Sequence, residues 1–189
     1  MRLPAFLLVL LAAGCAQSGP ALDAAPPSPG GTASTPAAGV VTISGSGQFT
    51  PDGKTAIVYD RKLVPEGAQA SVSAESTGGT TLSSVVVEGL LPNRKYGVHL
   101  HVNPCGPKPD DAGPHFQHQG KHATAENEVW LDLKTDGSGA ANASSRNDWA
   151  LDPDRLPRSL VIHAEPTVST GPSAGTAGSR AACLTLSPR

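Results

Sequence analysis

The run Tyr96-Gly97-Val98-His99-Leu100-His101-Val102 reads as a β-strand. In extended chain, residues two apart point to the same face, so the imidazoles of His99 and His101 can converge on one point. On its own, such a pair is weak evidence for a metal and is more often solvated or hydrogen-bonded, so the surrounding sequence has to decide.

That surrounding is β throughout. No segment repeats apolar residues at helical spacing; short β-rich runs alternate with turn residues, the pattern of an all-β sandwich or barrel. The expected strands are Thr42–Gly47, Thr55–Asp60, Ala68–Ala74, Thr81–Glu88, Tyr96–Val102, Glu128–Leu133, Ala140–Ser144, Ser159–His163 and Ala181–Leu186. Asp52-Gly53 and Asp136-Gly137 are turn signals. Val129, Leu131 and Leu133 alternate with Trp130, Asp132 and Lys134, so one face of that run is expected to be buried. Two long irregular stretches remain, Asn103–Asn127 and Glu165–Ser179. Loops of such length inside a compact domain usually carry function or are disordered. Histidines border both, which favours function.

The N-terminal part has a different character. Residues 1–15 read as an export signal, with Arg2 as its positive end and Leu3 to Ala13 as an apolar stretch too short to span a bilayer. It ends in Leu11-Ala12-Ala13-Gly14-Cys15, similar to the cleavage box of bacterial lipoproteins, in which the cysteine is lipidated. An ordinary secretory peptide with an incidental Cys15 is the other reading. In residues 16–39, 21 of 24 positions are Ala, Gly, Pro, Ser or Thr, a composition that cannot offset its ordering entropy by burial. This is the expected tether, reaching roughly 25–75 Å. Residues 40–189 are left for one domain with a real core. The expected location is the cell envelope, periplasmic or outer face, with the lipid anchor as the membrane contact.

The formal net charge of −2 and the lack of a basic block give no sign of a nucleic-acid partner. If Cys15 belongs to the lipid, Cys105 and Cys183 form an even pair in an oxidising compartment, and a disulfide between them is expected. The sequence marks no surface patch for self-association; a homodimer is compatible with it.

Several blocks together resemble the copper–zinc superoxide dismutases. They are Glu88-Gly89-Leu90, Gly97-Val98-His99-Leu100-His101, Cys105, Gly113-Pro114-His115-Phe116, Ser159-Leu160-Val161-Ile162-His163 and Gly178-Ser179-Arg180-Ala181-Ala182-Cys183. They occur in the family's order and at compatible spacing over roughly residues 55–186. The resemblance implies an eight-stranded Greek-key β-barrel with two long functional loops. It implies copper held by His99, His101, His115 and His163, with His115 in the position that bridges copper and zinc. It further implies Arg180 beside the metal as the guide for the superoxide anion, so that His115 and Arg180 are the expected catalytic residues. Four imidazoles suit copper in a tetragonal nitrogen field. A carrier of cuprous ion would favour thioether or thiolate ligands. Here Met1 is the only methionine, and both cysteines of the domain are expected to pair.

The zinc half of the pattern departs from the family. His122 matches one zinc ligand with spacing one residue short, the next ligand position falls near Thr124, and the aspartate position falls on Asn127. His115, His118 and His122 with Glu126 could supply the four donors of a closed zinc site. His118 and His122 could equally be solvated loop histidines. The loop after His163 is short, Glu165 is its only charge before Arg180, and Thr167 stands where the family has the aspartate that links its two metal sites. The groups that orient the ligands are therefore expected to be missing or different. The sequence thus leads to a copper-dependent dismutase with zinc doubtful, converting superoxide to oxygen and hydrogen peroxide. A non-enzymatic envelope protein that sequesters copper on the same fold is the alternative.

Overall fold

The computed structural model describes residues 39–120 and 122–189. The expected leader, and all but the last residue of the expected tether, lie outside the described residues. Among the described residues no helix is long and apolar enough to cross a membrane.

In chain order the strands are β1 (Val41–Gln48), β2 (Ala56–Val58), β3 (Gln69–Thr77), β4 (Thr80–Glu88), β5 (Lys95–Tyr96) and β6 (Val98–His101). They continue with β7 (Leu133–Lys134), β8 (Ala141–Asn147), β9 (Ser159–His163), β10 (Arg180–Thr185) and β11 (Ser187–Pro188). Eight of them are three residues or longer, the strand number that the resemblance implies, against nine runs expected from the sequence; β5, β7 and β11 are two-residue pairings. All the strand pairings are antiparallel. One sheet has the order β11-β1-β3-β4-β8, a second the order β2-β10-β9-β6, and β5 pairs with β7.

Alternation explains how the first sheet is built. Along β3 and β4, Ala70, Val72, Ala74, Val85 and Val87 are buried, while Gln69, Ser71, Ser73, Glu75, Leu82 and Val86 face outward. The inward side chains meet Val98, Leu100, Leu160, Ile162, Ala182 and Leu184 of the second sheet in one core. Gly45 marks a close approach: a Cβ there would lie 2.4 Å from the carbonyl oxygen of Thr185.

The second sheet has a covered outer face as well. Val161 and Cys183 pack there with Ala112, Tyr59 and Cys105 under the long loop that follows β6. The Cys105–Cys183 disulfide ties that loop to β10.

One expected strand is corrected. Glu128–Leu133 forms no continuous ladder; it contributes isolated bridges at Glu128 and Trp130 and only its last residue to β7. The reason is local. Val98 N–H donates to the Asp132 carboxylate at 3.0 Å instead of to a backbone carbonyl, which interrupts the pairing with β6. The alternation itself holds: Val129, Leu131 and Leu133 are buried.

Candidate metal centre

The pairing of β6 with β9 places the first histidines. His99 lies opposite Val161 and His101 opposite Ser159, so both imidazoles project to the outer face that Val161 shares. His163 ends β9 on that same face. His115 arrives from the loop, because the free edge of β6 is taken up by other segments. Phe116 N–H donates to Leu100 O, Val102 N–H donates to Pro114 O, and His115 bridges to His101.

Arg180 is opposite His163, at an irregularity in β10 between Arg180 and Ala182. In a regular strand Arg180 would share the inward face of Ala182 and Leu184. The bulge turns it onto the histidine face instead, a common use of bulges near functional sites.

One ligand atom from each of His99, His101, His115 and His163 lies within 4.8 Å of all the others, and this is the one such group of three or more His, Cys, Asp or Glu found among the described residues. His99 Nδ1 is 3.2 Å from His115 Nε2, and His101 Nε2 is 3.3 Å from His163 Nε2. The outward nitrogens fix the tautomers. His101 Nδ1 faces Gly113 O at 2.9 Å, His163 Nδ1 faces Gly178 O at 3.4 Å, and His115 Nδ1 faces Glu128 Oε2 at 2.8 Å. These acceptors take the ring N–H groups, so the three Nε2 atoms carry lone pairs. His99 Nε2 lies 2.7 Å from Thr167 Oγ1, leaving Nδ1 to face inward.

Three lone pairs therefore converge with the inward-facing Nδ1 of His99. A bound cation satisfies such a set, and four imidazole donors fit copper or zinc. Electrostatics agree. Burial, reinforced by the neighbouring imidazoles, lowers the pKa of His99 far below the usual histidine range. Burial is also the main cause that pushes His101 down to about 2 and His163 to about 4. The rings of His99, His101 and His163 are held neutral, as metal ligation requires.

Glu128 is the functional residue that the sequence reading passed over. It is 1% exposed and receives hydrogen bonds from His115 Nδ1, Trp130 Nε1 (2.7 Å) and Gln117 Nε2 (2.7 Å). Burial by itself would raise its carboxyl pKa; the bonds from His115, Trp130 and Gln117 outweigh burial and hold it below the usual range. The ring nitrogen through which His115 would bridge to a second metal is thereby committed to a carboxylate.

The other candidate zinc residues are elsewhere. His118 stacks on Trp149 with ring centroids 4.7 Å apart and planes at 3°. Desolvation lowers its pKa, with Arg155 adding to the effect. His122 is exposed, and its carbonyl accepts from Asn127 Nδ2. Glu126 is exposed, and its carbonyl accepts from Trp149 Nε1. Neither His118 nor His122 belongs to the four-histidine group.

A cleft of about 810 Å³ opens onto this centre, lined by His115, His163, Glu128, Arg180 and the small residues Ala174 to Gly178. Arg180 donates from Nη1 to Pro109 O at 2.8 Å and from Nη2 to Gly113 O at 2.7 Å. Gly113 O is also the acceptor for His101, so the guanidinium and a ligand ring share one anchor. The five guanidinium N–H groups exceed these two bonds, and the remaining donors are available to an anion in the cleft. Gly97 lets the opposite loop close: a Cβ there would fall 2.5 Å from Ala177 Cβ and 2.7 Å from Thr167 Oγ1.

Comparison with known proteins agrees with this geometry. Among solved structures, the crystal structure of the clock protein EA4 is similar with a TM-score of 0.53 at 18% identity, over 78% of this chain and 92% of that one. That likeness concerns the fold. No match was found among curated proteins. The family described as copper/zinc superoxide dismutase matches residues 67–185, more than half of the sequence. The chain belongs to the copper/zinc superoxide dismutase family.

Proposed function

We propose that this protein is a copper-dependent superoxide dismutase of the cell envelope that works without zinc. The carrying observation is the convergence of four imidazoles, each with a hydrogen-bonding partner on its outer nitrogen, beside a cleft that holds a fixed arginine. Copper bound to these nitrogens supplies a one-electron redox couple, which zinc does not have.

The chain's own residues do the rest. Arg180, clamped by two carbonyls, attracts the superoxide anion into the cleft and orients it by hydrogen bonding. Glu128 holds the His115 ring through Nδ1, the task a second metal performs for a bridging histidine. Two superoxide anions and two protons give one oxygen and one hydrogen peroxide, one anion losing the electron that the other gains. The cleft is open to water, which delivers the protons. The leader-like residues 1–15, ending in the lipobox-like run at Cys15, support the envelope location, where Cys105 and Cys183 would meet oxidising conditions.

A protein that only sequesters copper would need the same four ligands, but it would have no use for an anion guide. The position of Arg180 favours the enzyme. The test is dismutase activity of the copper-loaded protein beside His163→Ala. The reading requires a wild-type rate well above that of free copper and a large loss in the variant; a wild-type rate no better than free copper refutes it.

A further inference from the structure

Three of the four ligand rings are oriented by a backbone carbonyl or a buried carboxylate. His99 is the exception: its Nε2 meets a hydroxyl, Thr167 Oγ1, at 2.7 Å. A hydroxyl can donate or accept, so alone it would leave the tautomer of His99 undecided. Thr167 Oγ1 lies 2.7 Å from Asp132 Oδ1, and that carboxylate oxygen also accepts Val98 N–H at 3.0 Å. An oxygen that takes a backbone N–H serves Thr167 as an acceptor too, so the single proton of Thr167 is spent on Asp132 and its own oxygen accepts from His99. The chain of donors runs one way, from His99 Nε2–H to Thr167 Oγ1–H to Asp132. Asp132 itself is 3.6 Å from His99 Nε2, too far for a good direct hydrogen bond.

We propose that Thr167 and Asp132 form a positioning pair that fixes the tautomer and orientation of His99, so that its Nδ1 lone pair is aimed at the metal. The inference rests on the four-histidine metal centre proposed above. The two residues come from different parts of the chain, Asp132 from the segment before β7 and Thr167 from the loop after β9. They meet because Gly97 leaves room for Thr167. The pair therefore also ties that loop to the centre. Position 167, where an aspartate was expected to be lost, reaches a carboxylate through its hydroxyl.

The experiment uses the full chain with Thr167→Val, which keeps the shape without the hydroxyl, Thr167→Ser, which keeps the hydroxyl, Asp132→Ala and the Val/Ala double variant. Two readouts apply. The first is nitrogen-15 NMR of the His99 ring in metal-free protein. Wild type and Thr167→Ser should show the Nε2–H form, and Thr167→Val and Asp132→Ala a mixture. The second is copper retention against a competing chelator, with a loss of about 10–100-fold in Thr167→Val and near-complete recovery in Thr167→Ser. The double variant should lose no more than Thr167→Val alone, since both changes break one chain. An unchanged tautomer in Thr167→Val, or a Thr167→Ser no better than Thr167→Val, overturns the proposal. Failure of the metal-centre reading would show differently: wild type and His163→Ala would retain copper equally poorly, while the tautomer readout would still judge the pair.

Discussion

The Nδ1 of His115 is 2.8 Å from the Oε2 of Glu128, a carboxylate that is almost wholly buried. That contact settles what the outer edge of the His115 ring does in this chain. It also makes Glu128 a sensitive position. Glu128→Gln would leave one amide NH₂ facing a set of three donors, so at least one buried donor loses its acceptor. The expected cost is ~1–3 kcal/mol, or roughly 3–10 °C in the melting temperature of a domain of this size. Thermal unfolding of the metal-free protein should show it, together with weaker copper retention. An unchanged Tm and unchanged retention would remove Glu128 from the account.

The lowered histidines give the metal-free protein a pH-dependent stability of defined sign. His101 and His163 titrate at about 2 and about 4 when folded, against 6.5 when unfolded, and His99 is also shifted downward. Between those values the unfolded state binds more protons, so stability falls as pH drops below about 6.5, and it is independent of these groups above that. Each histidine contributes up to ~1.4 kcal/mol per pH unit inside its window. Denaturant unfolding of metal-free protein from pH 7.5 to 4.5 should give a falling midpoint, and His163→Ala should flatten the slope. A midpoint that rises on acidification contradicts the neutral-ring picture.

Much of this was legible in the sequence, and the rest was hidden for identifiable reasons. His99 and His101 share a face because strand periodicity is two, and the apolar run Leu160 to Ile162 placed His163. The alternation of Val129, Leu131 and Leu133 was readable too. Its unused corollary is that Glu128, Trp130 and Asp132 point the other way, toward the histidines. All three do: Glu128 bonds His115, the Trp130 ring lies 5.8 Å from that of His99, and Asp132 reaches His99 through Thr167. Matching one residue at a time to a zinc pattern concealed this, because a carboxylate that holds a ligand ring need not occupy a ligand position. The bulge that turns Arg180 onto the site had no local turn signature, since neither Ala181 nor Ala182 requires special backbone angles.

Arg180 should act on association with substrate. The loop Glu165–Ser179 carries one charge, so the arginine supplies the positive field at the cleft. Arg180→Ala is expected to lower kcat/KM by ~10-fold or more and to weaken its dependence on ionic strength, as for lost electrostatic steering. Copper content should stay constant. Stopped-flow decay of superoxide at several salt concentrations measures both; an unchanged rate at low salt would exclude the role.

The Cys105–Cys183 bond spans 78 residues, and on the chain-entropy model its loss costs about 4 kcal/mol. It also holds the loop whose Pro109 and Gly113 carbonyls clamp Arg180. The double variant Cys105→Ser with Cys183→Ser should therefore lose activity at temperatures where it is still folded. Far-ultraviolet circular dichroism and activity recorded on one temperature series would separate the two effects. Coincident loss of both signals would reduce the disulfide to a purely global role.

The proposed copper centre needs no zinc. Its most direct test is metal analysis and dismutase activity on a single preparation of protein exported to an oxidising compartment with both metals supplied. The expected result is about one copper per chain on the four imidazoles, no stoichiometric zinc, and activity that added zinc does not change. Stoichiometric zinc that resists chelation, with activity lost when it is removed, would contradict it.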